Sequence, residues 1–261
     1  ARWAAGLVCV ACAPLAAAGP SAELPLHLRE DKGATVLAHH VARTVPAGSP
    51  ENLLQAFDLF SKRNRLGMHL GGEKGQLIMM AVKRGLQQPG PITVLEMGCH
   101  AGDGSLRAAM VASRREGSRV ISTESNEHWL EAAKEVVAHG TSGMKGFSFL
   151  PLLLKDDADF GEFLGTLREQ HGVESLDTVI LDTNPRQYAQ QLKLLLEKGM
   201  LRKGATIYVD NAVTKKPELK DYLAMVKGRG SKQFSTDAHH VKTPYEDSVL
   251  ITTYLGESVE L

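Results

Sequence analysis

Short apolar runs alternate with longer amphipathic stretches from residue 91 onward, and this alternation constrains the fold more than any other feature. The runs have the length of buried strands, and the stretches between them carry apolar residues at helical spacing. Strands that alternate with such helices form right-handed βαβ units around a parallel sheet. The predicted strands are residues 93–98, 119–124, 147–152, 176–182 and 205–211, and the predicted helices are residues 103–115, 127–139, 160–171, 186–199 and 217–227.

Two further β-like runs, residues 234–241 and 248–255, leave no room for a helix between them. They predict an antiparallel hairpin at one edge of the sheet, next to the five parallel strands. A seven-stranded, mostly parallel α/β sheet of this kind, with helices on both faces, is the class I methyltransferase arrangement, a Rossmann-like fold. Residues 24–90 are expected to be helical, with segments at 52–63 and 72–86, and to cap the cofactor site.

The first 22 residues differ from the rest, because they form an apolar run with a single charge, Arg2. A membrane-spanning helix needs about 20 apolar residues. The segment is interpreted as a signal peptide, with a membrane anchor and an organelle-targeting segment as alternatives. A secretory or membrane-anchored protein is therefore favoured over a cytoplasmic or organellar one, and residues 23–261 are expected to form a single domain.

Charge and cysteine content argue against two classes of function. Thirty basic and thirty acidic residues cancel, so nucleic acid is not expected as a partner. Cys9 and Cys12 lack the second pair of ligands that a zinc site needs, and three cysteines with Cys99 are too few for a disulfide framework. Nothing indicates a coiled coil, and the residues alone leave the oligomeric state open.

A glycine-containing turn follows the first predicted strand, in VLEMGCHAGDGS at residues 94–105. Gly98 and Gly102 are spaced G-x-x-x-G, which differs from the G-x-G-x-x-G that binds a pyrophosphate. An acid, Glu96, precedes them, and a second acid, Glu124, ends the next strand. One carboxylate near a cofactor amine and another on the ribose hydroxyls would suit S-adenosylmethionine (SAM), although NAD sites also use a ribose acid. Solvated strand-end acids are the alternative.

Polar side chains also end the fourth and fifth predicted strands. Asp182 follows the three apolar residues 179–181, and Asp210 with Asn211 ends the next strand. Neighbouring parallel strands lie about 4.8 Å apart, so these side chains should meet beside the cofactor crevice. Two carboxylates and an amide oxygen are hard ligands that suit Mg²⁺. The alternative is that each Asp caps the helix that follows it.

Residues 30–255 resemble catechol O-methyltransferase and its transmembrane relatives. The matching pieces are GMHLGGEKG at 67–75, the VLEMGCHAG turn, Glu124, and LLLEKGMLRKGATIYVDNAV at 194–213. The resemblance implies Mg²⁺-dependent transfer of a methyl group from SAM to a hydroxyl of a catechol-like small molecule. It implies Asp182, Asp210 and Asn211 as metal ligands. By analogy with the family it also implies a monomer, with a small-molecule hydroxyl acceptor as its partner. The expected cofactor-binding residues are Met68, Leu70, Gly71, Glu96, Gly98, Gly102, Gly104, Ser105, Glu124, Ser125 and Asp182.

The sequence departs from this family where the acceptor is bound and deprotonated. The family's general-base lysine falls on Pro185, which cannot accept a proton. A family glutamate that grips the second hydroxyl falls near Pro244 in a shorter loop, and Glu246 or Asp247 are the alternatives. The candidate bases are His69 and His100, because a histidine titrates in the useful range. Weaker candidates are Tyr188, Arg186, His239, His240 and Lys242.

Three functional hypotheses follow from these features. The first is an active, Mg²⁺-dependent O-methyltransferase. The second is a catalytically silent relative that binds SAM or a protein, which the replacement of the lysine by Pro185 would favour. The third is an NAD-dependent oxidoreductase, against which the glycine spacing, the Asp210–Asn211 pair and the closing hairpin argue.

Overall fold

A computed structural model describes residues 33–64, 70–155, 159–227, 232–242 and 246–256. Among these residues, three helices precede the first strand: α1 (Gly33–Thr44), α2 (Pro50–Asn64) and α3 (Gly71–Gly85). Within the described ranges, no helix is both long enough and apolar enough to cross a bilayer. The apolar segment at residues 1–22, for which a signal or anchor role was predicted, lies outside the described residues.

From residue 93 the chain alternates between strands and helices as the sequence predicts. The elements are β1 (Thr93–Met97), α4 (Asp103–Ala112), β2 (Ser118–Glu124), α5 (Glu127–Gly140), β3 (Phe147–Leu153), α6 (Phe160–His171), β4 (Leu176–Leu181), a 3₁₀ turn (Pro185–Gln187), α7 (Tyr188–Glu197), β5 (Leu201–Val209), α8 (Lys220–Lys227), β6 (Phe234–Val241) and β7 (Asp247–Tyr254).

The seven strands form one sheet in the order β3-β2-β1-β4-β5-β7-β6. The first five strands are parallel, and β7 pairs antiparallel with both β5 and β6. The predicted class I methyltransferase fold with its closing hairpin is therefore confirmed. β7 lies inside the sheet, between β5 and β6, so its first residue is next to the end of β5.

Two elements begin three or more residues away from the predicted positions. β5 starts at Leu201 rather than residue 205, and its register with β4 shifts between Leu176 and Thr178. Gly204 has a φ of 88°, so the strand continues through a left-handed residue that reads as a turn in the sequence. The last helix starts at Lys220, because residues 211–219 form turns after β5.

Alternating side chains of the strands fill two apolar layers, one on each face of the sheet. On β5, Val209 belongs to the layer that α6 and α7 cover, and Tyr208 belongs to the layer that α3 and α4 cover. A third cluster joins α1 and α2 to α4 and α5, with Leu37 and Phe57 at its centre. The helices before β1 thus pack against the helices that flank the cofactor loop.

Candidate active site

The loop between β1 and α4 lies directly against the end of β4. Gly98 has a φ of 86°, and a Cβ at this position would overlap the carbonyl oxygen of Asp182. The backbone N–H of Asp182 donates to the carbonyl of Met97 at 3.0 Å. Only glycine allows both the left-handed conformation and this close approach. The predicted cofactor loop and the predicted metal ligand Asp182 are therefore neighbours.

Glu96 lies under the same loop and is 1% exposed. Its Oε2 accepts hydrogen bonds from the hydroxyls of Ser105 and Ser122. A Cβ at Gly104 would overlap Glu96 Oε1 and would come within 3.2 Å of Leu70 Cδ1. Three predicted cofactor residues, from α3, β1 and α4, are thus close together.

Burial raises the pKa of Glu96 to about 7, against the effect of the two serine hydrogen bonds, and the charges of Asp103 and Glu124 raise it further. A cation placed beside Glu96 would favour its ionised form. The SAM amine has the required charge. The assignment of Glu96 to the cofactor stays a prediction.

Glu124 connects the end of β2 to the cofactor loop. Its Oε2 accepts from the backbone N–H of His100 at 2.9 Å, and its Oε1 accepts from the N–H groups of Ser125 and Asn126 at 2.8 and 3.1 Å. The side chain of Asn126 then caps α5 through the N–H of His128. Glu124 is 7% exposed and stands where the sequence predicts a ribose ligand, but that role stays a prediction.

His100 lies on the β2 side of the crevice rather than beside the strand-end aspartates. Its ring meets Trp129 of α5 edge-on, with centroids 5.0 Å apart. Its backbone has a φ of 45°, and its N–H is held by Glu124. β1 separates this side from β4, where Asp182 lies. The geometry associates His100 with the predicted ribose residue, and its role as a base stays a prediction.

Asp182 and Asp210 end neighbouring strands and perturb each other. Burial raises the pKa of Asp182 well above its ordinary value, and the charge of Asp210 raises it further. Burial also raises the pKa of Asp210, although Lys74 opposes this shift. Two carboxylates that repel each other in a buried place form an arrangement that a cation would stabilise.

Lys74 of α3 supplies a positive charge at this place, and the sequence reasoning missed it. The residue is 1% exposed. Its Nζ lies 2.8 and 3.0 Å from the two carboxylate oxygens of Asp210 and 3.1 Å from Oδ2 of Asp247. A signal was available, because Lys74 shares the helix face of the buried residues Ile78 and Val82, at spacings of four and eight.

Asp247, the first residue of β7, is completely buried. Its carboxylate accepts hydrogen bonds from the loop after β5 and from Lys74, so it is not available to grip a substrate hydroxyl. Glu246 is exposed and pairs with His240 at 3.3 Å. Neither residue therefore has the surroundings of the family's substrate-binding glutamate, and the position matched to it, Pro244, lies outside the described residues.

The segment after Asp182 is held in place although it lacks the family's lysine. The backbone N–H of Thr183 donates to the hydroxyl of buried Tyr188 at 2.8 Å. Asn184 caps the short 3₁₀ turn that Pro185 begins, and Arg186 is exposed. The other predicted side chains are scattered: His239 and His240 lie on β6, Lys242 follows it, and Met68 and His69 lie outside the described residues.

A divalent cation is the ligand that the sequence predicts at the ends of β4 and β5. Among the described residues, no group of three or more His, Cys, Asp or Glu side chains has an arrangement suited to a metal ion. The predicted set consists of two carboxylates and an amide, from Asp182, Asp210 and Asn211, and its assignment to a cation stays a prediction. Oxygen donors of this kind match Mg²⁺, which completes its shell with water or substrate oxygens.

Comparison with known proteins identifies the family. No protein-family model matches the chain. A probable O-methyltransferase of Mycobacterium tuberculosis is 30% identical over 227 residues, which cover 85% of this chain and 89% of the relative. The chain belongs to the SAM-dependent O-methyltransferase family. Catechol O-methyltransferase B of Danio rerio is 28% identical over 210 residues, with 80% of this chain and 74% of the relative covered.

Other members of this O-methyltransferase family agree with the resemblance in the sequence. The transmembrane O-methyltransferase homolog of Rattus norvegicus is 28% identical over 214 residues, with 80% of this chain and 76% of the relative covered. The O-methyltransferase of Bacillus cereus, solved with SAH, superposes with a TM-score of 0.61 at 15% identity over 84% of this chain and 97% of its own. TomG of Streptomyces achromogenes, solved with SAM, gives 0.60 at 17% identity over 85% and 96%. At these identities the two structures show the fold alone.

Proposed function

We propose that this O-methyltransferase transfers a methyl group from SAM to a hydroxyl of a catechol-like small molecule and that it requires Mg²⁺. The observation that carries the proposal is the pair Asp182 and Asp210. Asp210 is buried and Asp182 is half-buried, the pKa of each carboxylate is raised, and Asp182 lies against Gly98 of the cofactor loop. This arrangement supports a cation site whose oxygen donors lie next to the cofactor loop.

The residues of the site would have the following roles in the reaction. Asp182, Asp210 and the side-chain oxygen of Asn211 would hold the cation. When bound, Mg²⁺ supplies a Lewis acid that lowers the pKa of a hydroxyl and fixes its direction. Glu96 would face the SAM amine and Glu124 the ribose, so that the methyl group is presented in line with the acceptor oxygen. Positioning of this kind supplies much of the acceleration in two-substrate reactions.

The group that accepts the proton differs from that of the family. Pro185 has no basic atom, and His100 lies against Trp129 on the β2 side. Lys74 is already paired with two carboxylates. We retain His69 as the proposed base, because it directly precedes Leu70, which lies at the cofactor loop. An acidic acceptor hydroxyl activated by the cation would need less help from such a base.

Transfer of a labelled methyl group to a panel of vicinal diols and matched monohydroxyl compounds tests this proposal. Transfer should be confined to the diols, should stop with EDTA and should return with excess Mg²⁺. Asp182→Asn should abolish transfer, whereas the control Asp237→Asn, at an exposed carboxylate, should not. SAM binding by calorimetry without transfer to any acceptor would instead support the silent relative, and transfer that is unaffected by EDTA would contradict the role of Mg²⁺.

A further inference from the structure

The carboxylate of Asp247 organises the loop that carries Asn211. Asp247 lies 36 residues from Asn211 in the sequence, at the first position of the strand that pairs with β5. Its two oxygens accept six hydrogen bonds, which come from Lys74 Nζ, Asn211 Nδ2, the backbone N–H groups of Val213, Thr214 and Ser248, and the hydroxyl of Thr214. A buried carboxylate with this many donors stays ionised and fixed in place.

The backbone of this loop is held in a conformation that it would not adopt unaided. Asn211 has a φ of 60°, in the left-handed region. Asparagine tolerates this region better than most residues, but the conformation still needs support from its surroundings. The support comes from β7, because Asp247 binds the side chain of Asn211 and the carbonyl of Ser248 accepts from Ala212 N–H at 2.8 Å.

The contact between Asn211 and Asp247 decides which end of the amide faces the site. An ionised carboxylate accepts hydrogen bonds and donates none, so it must face the NH₂ group of an asparagine. In the structure Nδ2 of Asn211 donates to Oδ2 of Asp247 at 3.0 Å. The amide oxygen therefore points to the opposite side of the group. A divalent cation binds the oxygen of an amide and not its protonated nitrogen.

Lys74 couples this arrangement to the neighbouring carboxylate. The ammonium lies 3.1 Å from Oδ2 of Asp247, the same oxygen that binds Asn211, and also contacts both oxygens of Asp210. The ammonium of Lys74 thus joins α3, the end of β5 and the start of β7. Asp210 and Asn211 are adjacent in the sequence. Asp247 contacts Asn211 directly and Asp210 through Lys74.

We propose that Asp247 is a positioning residue of the cation site, which turns the side-chain oxygen of Asn211 toward the divalent cation and, through Lys74, fixes Asp210 beside it. This inference rests on the proposed function, because it assigns Asn211 to the cation. It assigns Asp247 a role that differs from the substrate-binding role expected at this part of the chain.

The test exchanges the side chains of Asp247 and Asn211. Asp247→Asn removes the acceptor that orients the amide, and Mn²⁺ affinity, measured by electron paramagnetic resonance, should fall about 10- to 100-fold, the usual range for a group that orients a metal ligand. In the double variant Asp247→Asn with Asn211→Asp, the new asparagine can donate to the new aspartate. A carboxylate presents oxygen in either orientation, so the double variant should recover most of the lost affinity. SAM affinity should change much less than Mn²⁺ affinity throughout.

Two comparisons separate positioning from support of the fold. Thr214→Val removes another hydrogen bond to Oδ2 of Asp247 without touching Asn211, and it should leave Mn²⁺ affinity nearly unchanged. Thermal unfolding of each variant monitors the fold. If Asp247→Asn lowers the unfolding temperature and the double variant restores Mn²⁺ binding without restoring that temperature, positioning is supported.

Two results would overturn the inference. One is a folded Asp247→Asn variant that binds Mn²⁺ like the parent protein, and the other is a folded double variant that binds no better than Asp247→Asn. A failure of the proposed function gives a different result, because Asp182→Asn would then leave Mn²⁺ affinity unchanged. If the single variant does not fold, the folded double variant decides alone, by comparison with the parent protein and with Thr214→Val.

Discussion

Glu96 on β1 and Asp247 on β7 are both buried carboxylates, but their surroundings differ. Glu96 meets two serine hydroxyls, and burial raises its pKa to about 7. Asp247 meets six donors, one of them the ammonium of Lys74. Burial would raise the pKa of Asp247 too, but the hydrogen bonds from Ser248, Thr214, Val213 and Asn211 hold it well below its usual range.

The different numbers of hydrogen-bond donors around Glu96 and Asp247 distinguish the β1 side of the crevice from the β7 side. On the β1 side, a carboxylate is kept without a full set of donors, so its charge would be favoured by a cationic ligand. On the β7 side, the charge is compensated within the protein and serves to hold a loop. We infer that Glu96 serves a ligand that arrives from outside, whereas Asp247 is a permanent part of the scaffold.

The largest effect that would test this comparison is expected from Asp247→Ala. The change leaves Lys74 and the loop donors without their common acceptor, and we expect a loss of about 3–5 kcal/mol in the free energy of unfolding. Urea unfolding followed by circular dichroism measures it. The control is Asp237→Ala, an exposed carboxylate that pairs with Arg84, which should change stability by at most about 0.5 kcal/mol. Equal losses for the two variants would show that Asp247 is not a scaffold residue.

Glu96→Gln should show that the charge of Glu96, unlike that of Asp247, destabilises the folded protein. The free energy of unfolding should therefore depend on pH differently in this variant and in the parent protein. The folded-state pKa of about 7 lies above the ordinary value of 4.5, so the folded protein holds this proton more tightly than the unfolded chain. The stability contribution of Glu96 is therefore complete below pH 4.5 and is lost as the pH rises through 7. Relative to the parent protein, Glu96→Gln should gain about 3 kcal/mol over this interval. Urea unfolding at a series of pH values would contradict this if the difference between the two proteins stayed constant.

Gly104→Ala tests whether Glu96 can move. The added methyl group would overlap Glu96 Oε1, and the carboxylate is confined because both serine hydroxyls donate to its other oxygen, Oε2. Overpacking of this kind destabilises by about 1–3 kcal/mol. SAM affinity should fall as well. In the matched control Gly165→Ala, in the interior of α6, the methyl group meets open space, so the helix should gain about 0.5–1 kcal/mol. Calorimetric unfolding and SAM titration would measure both, and unchanged values for Gly104→Ala would mean that Glu96 is mobile.

The smallest effect on stability is expected from Tyr208→Phe, which removes a buried, uncharged hydroxyl. Within the described residues, the hydroxyl of Tyr208 has no hydrogen-bond partner, although the side chain is completely buried. Its removal should leave stability unchanged or raise it slightly. Tyr222→Phe is the control, because its equally buried hydroxyl bonds with Thr252 at 3.2 Å, and it should lose about 1 kcal/mol. A loss for Tyr208→Phe as large as that for Tyr222→Phe would point to a bound water at the hydroxyl.

The sequence predicted those parts of the site that follow from local geometry. Continuous apolar runs identify buried strands, and an acid that follows such a run must lie at the carboxyl edge of the sheet. The places of Glu96, Glu124, Asp182, Asp210 and Asn211 in the fold were predicted in this way, and their roles stay predictions. The start of β5 was missed because Gly204 reads as a turn, although here the strand continues through it.

Lys74 and Asp247 could not be placed by the same reasoning. Lys74 lies 136 residues from Asp210 and 173 residues from Asp247, and pairing at such separations leaves no local pattern. A lysine in a helix is usually exposed, so the face it shares with Ile78 was the only local sign. The role of Asp247 depends on the insertion of β7 beside β5, which brings it to the loop of Asn211.

The placement of β7 between β5 and β6 also orders events during synthesis. A ribosome delivers α3 first, then β5, and only 36 residues after Asn211 does it deliver the acceptor that orients this side chain. A nascent chain released before β7 would carry the cofactor turn and both strand-end aspartates but would lack the carboxylate of Asp247. In the proposed site, the cation would therefore bind in its final form only after most of the sheet has been translated.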